Sequence, residues 1–274
     1  MSQRVEQVDL PKTTTTPDVS VFSISQATTA TFTELYFQHT FLFFIQVGSK
    51  RVLCPINGEL IGHAEDLLVF PPGSMVTLEN RPVFAGNYRA TGVCFSQNMI
   101  EAVFPDKSSK IALFGIQSLK RGTVETSKIL DAIQKTIDDE SLPDSIRRHR
   151  LLEPLIWLRH YGVQLSPCED RQPLSKIRRL IETDLSHPWR SSEVADHFAV
   201  SESTMRRWLT KSGQGFAKTL QNTRLEHGLS LLQSTDMSIS EIALSCGFKT
   251  PSHFAKSFRK RFGIKPSAIR KMEH

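Results

Sequence analysis

Residues 238–270 read SISEIALSCGFKTPSHFAKSFRKRFGIKPSAIR, and the punctuation of this stretch dictates two short helices meeting at a turn. Ser238 with Glu241 three positions on makes a capping box, in which each residue satisfies a backbone N–H of the other. Gly247 suits a tight turn, Thr250 caps the helix that follows, and Pro251 takes that helix's favoured first position. Gly263 supplies a stop and Pro266 forbids continuation. Phe254 and Phe258 fall on the inward side, which leaves Ser252, His253 and Lys256 free to face a partner. Arg259-Lys260-Arg261 can either reach phosphates or form a solvated cationic turn that complements the helix dipole.

About fifty residues upstream the pattern repeats. Residues 191–209 read SSEVADHFAVSESTMRRWL, after an approach through Trp189-Arg190. Ala195 and Ala199 are small where two helices at a steep angle must cross, and Val194, Phe198, Val200, Met205 and Leu209 can fill the core between them. Ser201 is an N-cap for the second helix of this pair. Ser203, Thr204, Arg206 and Arg207 then occupy its early turns, some of them necessarily on the outer face. Arginine is the best side chain for bidentate pairing with guanine O6/N7. Between the two units, Phe216, Leu220, Leu225, Leu229 and Leu232 mark a connecting helix over about 216–232. Before them, a helix over about 175–184 puts Ile177, Leu180 and Ile181 on one side.

The chain carries 34 Lys+Arg against 28 Asp+Glu. Residues 173–274 hold 17 basic and 9 acidic side chains, a net +8, whereas residues 1–172 hold 17 and 19, a net −2. A domain that approaches phosphates needs such a concentration of charge, although a solvated basic surface gives the same count. Four cysteines, Cys54, Cys94, Cys168 and Cys246, show no C-x-x-C pair and no metal-ligand spacing with histidine. They read as buried free thiols of a reducing compartment rather than as disulfides. No apolar run approaches the ~20 residues of a membrane span. The N-terminus lacks the cationic-then-apolar order of a secretory signal. The expected location is cytoplasmic.

The N-terminal part follows a different rhythm. Residues 1–18 are polar and are expected to form a flexible tail. From 19 to about 95, short apolar runs such as 41–47, 51–56 and 67–70 are separated by Gly48, Asn57-Gly58 and Pro71-Pro72-Gly73. That is the signal of strands in a small sandwich or barrel. Asn57-Gly58 predicts a two-residue hairpin turn. Lys50-Arg51 could pair with an acidic ligand, but a solvated hairpin edge is the plainer reading. Ile129, Ile133 and Ile137 share a helix face, and residues 144–161 carry a broader one that includes Leu151, Leu152, Leu155, Ile156 and Leu158. Such a face either packs on the strands or pairs with a second copy of the chain. Residues 166–173, polar with two prolines, read as a linker.

Residues 174–274 resemble the AraC/XylS family of bacterial transcription regulators, and the stretch 238–270 is similar to the family signature almost position for position. Ile269 departs from it, standing where the family has an aromatic residue. By length and by Trp189-Arg190 the chain is most similar to the enteric virulence and stress regulators of that family. The resemblance implies an all-α domain with two tandem helix-turn-helix units, each placing a helix in the major groove about one helical turn (~34 Å) from the other. It puts Ser203, Arg206, Arg207, Ser252, His253 and Lys256 at base-contacting positions. Ser203 is small where some relatives carry an aromatic. Arg190, Ser201, Thr204, Thr250 and Arg259 fall where phosphates would be held. Double-stranded promoter DNA, RNA polymerase, a small effector and a second copy of the chain are the partners the resemblance implies, with activation the commoner outcome.

Residues 66–80, DLLVFPPGSMVTLEN, resemble the second cupin motif, so the resemblance implies a cupin-like β-barrel with following helices over 19–165 and an α+β chain overall. Catalytic cupins carry a metal-binding histidine where Val76 stands. No His-x-His pair precedes it, and His39 and His63 lack ligand spacing. No metal and no cofactor are expected, and the chain does not read as an enzyme. The competing readings are a cupin-type enzyme, a DNA-repair methyl acceptor carrying the same DNA-binding module, and a decoy that dimerises with another regulator. The methyl acceptor would need an exposed, electropositive cysteine.

Overall fold

The apolar runs between 19 and 95 become antiparallel strands in the computed structural model, which describes residues 14–15, 18–84, 86–105, 115–122, 125–165, 173–211 and 213–269. The strands are β1 (Thr14–Thr15), β2 (Val19–Gln26), β3 (Ala30–Phe37), β4 (Thr40–Val47), β5 (Ser49–Cys54), β6 (Gly58–His63), β7 (Leu67–Phe70), β8 (Ser74–Arg81), β9 (Tyr88–Phe95) and β10 (Gln117–Leu119). The helices are α1 (Gln97–Val103), α2 (Thr126–Asp138), α3 (Asp144–His160), α4 (Pro173–Thr183), α5 (Ser191–His197), α6 (Glu202–Lys211), α7 (Phe216–Ser234), α8 (Ile239–Ser245), α9 (Pro251–Phe262) and α10 (Pro266–Ile269). An N-terminal antiparallel sheet domain thus precedes a C-terminal helical one.

Two sheets form, ordered β1-β2-β9-β4-β7-β10 and β3-β8-β5-β6. The first is covered on both faces, which explains why β4 and β7 are apolar almost throughout. Phe43, Ile45, Leu68 and Phe70 point toward the second sheet, where Phe32, Val52, Val76 and Leu78 meet them. Their neighbours Leu42, Phe44, Leu67 and Val69 point the other way, onto α1, α2 and α3 through Met99, Ile129, Ile133, Leu151 and Leu155. The two-residue period of a strand sorts the two cores.

Four expectations change. The barrel is not closed: the two sheets keep separate edges, because local alternation specifies faces while closure depends on edge pairing. The hairpin after β5 has three loop residues, 55–57, since Cys54 pairs with Gly58, which itself carries the positive φ of 77°. Thr14 and Thr15 pair with Val21 and Ser20, so the chain is already in a sheet within the supposed tail, and Asp18 Oδ2 accepts a bond from Arg148 Nη1 at 2.6 Å. Lys50 is not at a solvated edge: it is 1% exposed. The rest of the expected tail, the linker up to Pro173, Cys168 and Arg270 lie outside the described residues.

The apolar face of α3 is used within the chain, with Leu151, Leu155 and Leu158 buried, while Ile146, Ile156 and Trp157 stay exposed. The C-terminal helices bury their own faces in two groups. Ile177, Ile181, Val194, Ala195, Met205 and Leu209 unite α4, α5 and α6. Leu225, Leu229, Ile242, Phe254, Phe258 and Phe262 unite α7, α8 and α9, and this second group continues into the core between the sheets. Phe262 meets Phe32 of β3 there, ring to ring at 5.6 Å.

Candidate nucleic-acid interface

In the first helix pair the turn is made by Ala199, whose φ of 51° is unusual for a residue with a side chain. The N–H of Val200 closes it on the carbonyl of Ala195 at 3.0 Å. Ser201 then caps α6, its Oγ accepting from Thr204 N at 3.2 Å. Met205 and Leu209 are buried, so helical geometry turns Ser203, Arg206 and Arg207 outward, and all three are exposed. The Thr204 hydroxyl is engaged with Ser201 Oγ at 3.0 Å and accepts from Arg207 Nη2 at 3.3 Å. Ser203 Oγ lies 2.9 Å from Ser201 Oγ. These hydroxyls would have to exchange partners before touching a ligand, whereas Arg206 stands clear of them. Arg190 precedes α5 and is exposed.

In the second pair every punctuation mark has a bond. Ser238 Oγ accepts from Glu241 N at 3.2 Å and Glu241 Oε2 accepts from Ser238 N at 2.7 Å, a reciprocal box. Gly247 has a φ of 74°, and a Cβ there would lie 2.2 Å from the carbonyl oxygen of Leu185, so the turn demands glycine twice over. Thr250 Oγ1 accepts from His253 N at 3.1 Å. Phe254, Phe258 and Phe262 are buried on one side of α9, which leaves Ser252, His253, Lys256, Arg259 and Lys260 exposed on the other. The connecting helix α7 is tied to the approach of the first pair by Arg224, whose Nε and Nη2 donate to the carbonyls of Leu185 and His187 at 2.9 and 2.8 Å.

Of the three cations at 259–261, left open between phosphates and a solvated turn, one does neither. Arg261 faces inward: it donates to the carbonyls of Thr33 and Glu34 (3.0 Å to Glu34), to Thr33 Oγ1 at 3.0 Å and to Asn222 Oδ1 at 3.1 Å, and it pairs with Glu226 at 3.3 Å. Its neighbours Arg259 and Lys260 join Lys256 and Lys265 around an open groove of about 680 Å³ that Ile239 and Pro266 also line. Lys265 is the cation that sequence reading passed over. Its signal was present, a lysine directly before the proline that opens α10, but nothing local shows that α10 folds back beside α9.

Residues 194–272 match the helix-turn-helix domain family. They form an AraC-type helix-turn-helix domain. Relatives include the HTH-type transcriptional regulator YdeO of Escherichia coli (strain K12), 30% identical over 96 residues, or 35% of this chain and 38% of that protein. The transcriptional activator AggR of Escherichia coli is 38% identical over 91 residues, 33% of this chain and 34% of that protein. The chain therefore matches little more than a third of the length of these relatives. In three dimensions the likeness runs further. A structure of ToxT from Vibrio cholerae with an unsaturated fatty acid bound superimposes over 91% of this chain and 92% of that one, with a TM-score of 0.65 at 15% identity. That likeness is one of fold.

Outside the AraC-type surface, the thiols are poorly placed for chemistry. Cys246 packs behind Gly247, and burial pushes its pKa up to about 11. Burial does the same to Cys94, up to about 12. Burial thus disfavours the thiolate at both positions, the form a methyl acceptor would use. Among the described residues no three His, Cys, Asp or Glu side chains gather as a metal site would require, and no helix is long and apolar enough to cross a membrane.

Proposed function

We propose that the chain is a sequence-specific DNA-binding transcription regulator, more an activator than a repressor, whose two tandem helix-turn-helix units read neighbouring major-groove segments of one duplex. The carrying observation is the pair of capped helices, α6 and α9, each with its apolar side buried and a cationic side exposed. In this reading Ser203, Arg206, Arg207, Ser252, His253 and Lys256 face bases. Arg190, Ser201, Thr204, Thr250 and Arg259, joined by Lys260 and Lys265, face phosphates. Residues 174–274 are the reader and residues 19–165 a cupin-like domain that takes a small effector, as the fatty-acid-bound ToxT structure suggests by its fold. Exposed Ile146, Ile156 and Trp157 on α3 are the surface for a second copy, RNA polymerase is the downstream partner, and the protein works in the cytoplasm.

The test is selection of duplexes from a random pool by the full chain at physiological salt. Arg206→Ala and Lys256→Ala should each weaken the selected site by ~1–3 kcal/mol and relax preference at different positions within it. A chain that enriches no sequence ends the proposal.

A further inference from the structure

The first reader helix carries an anion on the face that meets the duplex. Glu202 is the first residue of α6, directly after the cap Ser201, and it is exposed. Arg206 lies four residues on, so the two side chains share one stripe of the helix. Such a pair, acid first, ordinarily closes on itself. Here it does not. Glu202 Oε2 accepts from Ser191 Oγ of α5 at 2.5 Å, and among the described residues no cation pairs with the carboxylate. Ser191 thus holds it by one oxygen, and the other, Oε1, is an open acceptor.

The second unit has no such stripe. Counted from the caps Ser201 and Thr250, Glu202 and Arg206 correspond to Pro251 and Ala255 of α9. Neither of those side chains forms hydrogen bonds, so α9 offers only apolar contact there, such as with a thymine methyl. On α6 the same positions carry an acceptor and a donor fork. A carboxylate is a poor neighbour for the DNA backbone, because phosphates line both walls of the groove and like charges at short range repel. Among base edges in the major groove, cytosine presents a donor, N4–H₂, and no acceptor. Guanine and thymine present acceptors, and adenine sets its N6 donor beside an acceptor at N7. A recognition helix turns its N-terminal residues to base edges, and Glu202 stands at that end.

We propose that Glu202 is a specificity-determining residue that reads a cytosine through Oε1, near the guanine taken by Arg206, with Ser191 as the residue that positions it. The proposal rests on the DNA reading above and adds one residue and one base to it. Four helical residues span ~6 Å, so the two bases lie within about two base-pair steps of 3.4 Å. The negative charge also lowers affinity for every other sequence, so Glu202 sharpens discrimination while weakening raw binding.

The experiment is selection of duplexes from a random pool by the full chain and by Glu202→Gln, Glu202→Ala, Ser191→Ala and Arg206→Ala. Titration of the parent's selected site and its single-base changes follows. The parent should select a cytosine within about two positions of the base whose preference Arg206→Ala abolishes. Replacing that cytosine should weaken the parent by about 5–10-fold. Glu202→Gln keeps the shape and can still accept from Ser191, and it should move the preference to adenine, whose N6 and N7 match an amide. Glu202→Ala should leave the position undiscriminated and bind an unrelated duplex more tightly than the parent at low salt. Ser191→Ala should narrow the cytosine preference without changing the base. A carboxylate that only ties α5 to α6 would lower the thermal midpoint in Glu202→Ala and Ser191→Ala alike and leave the selected sequence unchanged. That result, or a parent site with no cytosine near the Arg206 base, overturns the assignment. Should Glu202→Ala not fold, Glu202→Gln decides by the switch from cytosine to adenine. A parent that selects no sequence ends the DNA reading itself, whereas a selected site that Glu202→Gln leaves unaltered ends only the role of Glu202.

Discussion

Asp66 is 3% exposed in the turn between β6 and β7, and three donors converge on it. They are the N–H of His63 at 2.9 Å, the N–H of Arg121 at 2.9 Å and Lys120 Nζ at 2.9 Å. Burial alone pushes the carboxyl's pKa up, but the bonds from His63, Lys120 and Arg121 and the lysine's charge outweigh it, and the net direction is down. A depressed carboxyl stabilises the fold above its unfolded value of ~3.9, and that contribution is lost as pH falls through the folded value. Asp66→Asn should cost about 1–3 kcal/mol at pH 7. Urea unfolding at pH 7 and pH 3 checks this: the gap between parent and variant should narrow in acid. A gap that is constant with pH would mean that Asp66 acts by shape alone. Asp66 opens the stretch 66–80, and its carboxylate ties the turn between β6 and β7 to the segment that follows β10.

At the scale of elements, caps and turns were the most legible part of the chain. Ser238, Gly247, Thr250 and Gly263 act within three or four residues of themselves, so their roles are written locally. The apolar runs of β4 and β7 were equally plain. Closure of the sheets was not, because an edge strand and a paired strand can carry the same alternation. Nor was the burial of Lys50, which donates to Asn80 of β8, itself bonded to Gln26 of β2. Thr250 tests how far a local signal reaches. Thr250→Ala removes the cap bond to His253 N and should lower stability by about 1 kcal/mol. If the Thr250 hydroxyl also donates to a phosphate, duplex affinity falls in Thr250→Ala at a temperature where both proteins are fully folded, and Thr250→Ser restores it. An affinity that follows the fraction folded would leave the hydroxyl only its capping role.

At the scale of the molecule, the two halves share a core. The phenylalanines of α9 are continuous with the apolar space between the sheets, and the polar rim of that contact centres on Arg261. One guanidinium reaches β3 of the sheet domain through Thr33 and Glu34, α7 through Asn222 and Glu226, and carries the C-terminal end of α9 with it. Glu34 sits at the β3 irregularity with a φ of 50°, which aims its carbonyl at the arginine, and its carboxylate takes Lys218 of α7 at 3.1 Å. Removing Arg261 leaves Glu226 with Arg178, so no buried charge is stranded, and the β3 carbonyls at exposed residues return to water. Arg261→Ala should therefore cost only about 1–3 kcal/mol, less than the number of its bonds suggests. The loss should be local to the contact. Native-state hydrogen exchange should quicken in β3 and in the last turn of α9, while α2 and α3, which belong to the core on the far face of the first sheet, keep their protection. Uniform acceleration across both cores would instead mean that the halves unfold as one unit. In that case the core shared by the sheets and α7 could not yield on one side without loosening the other.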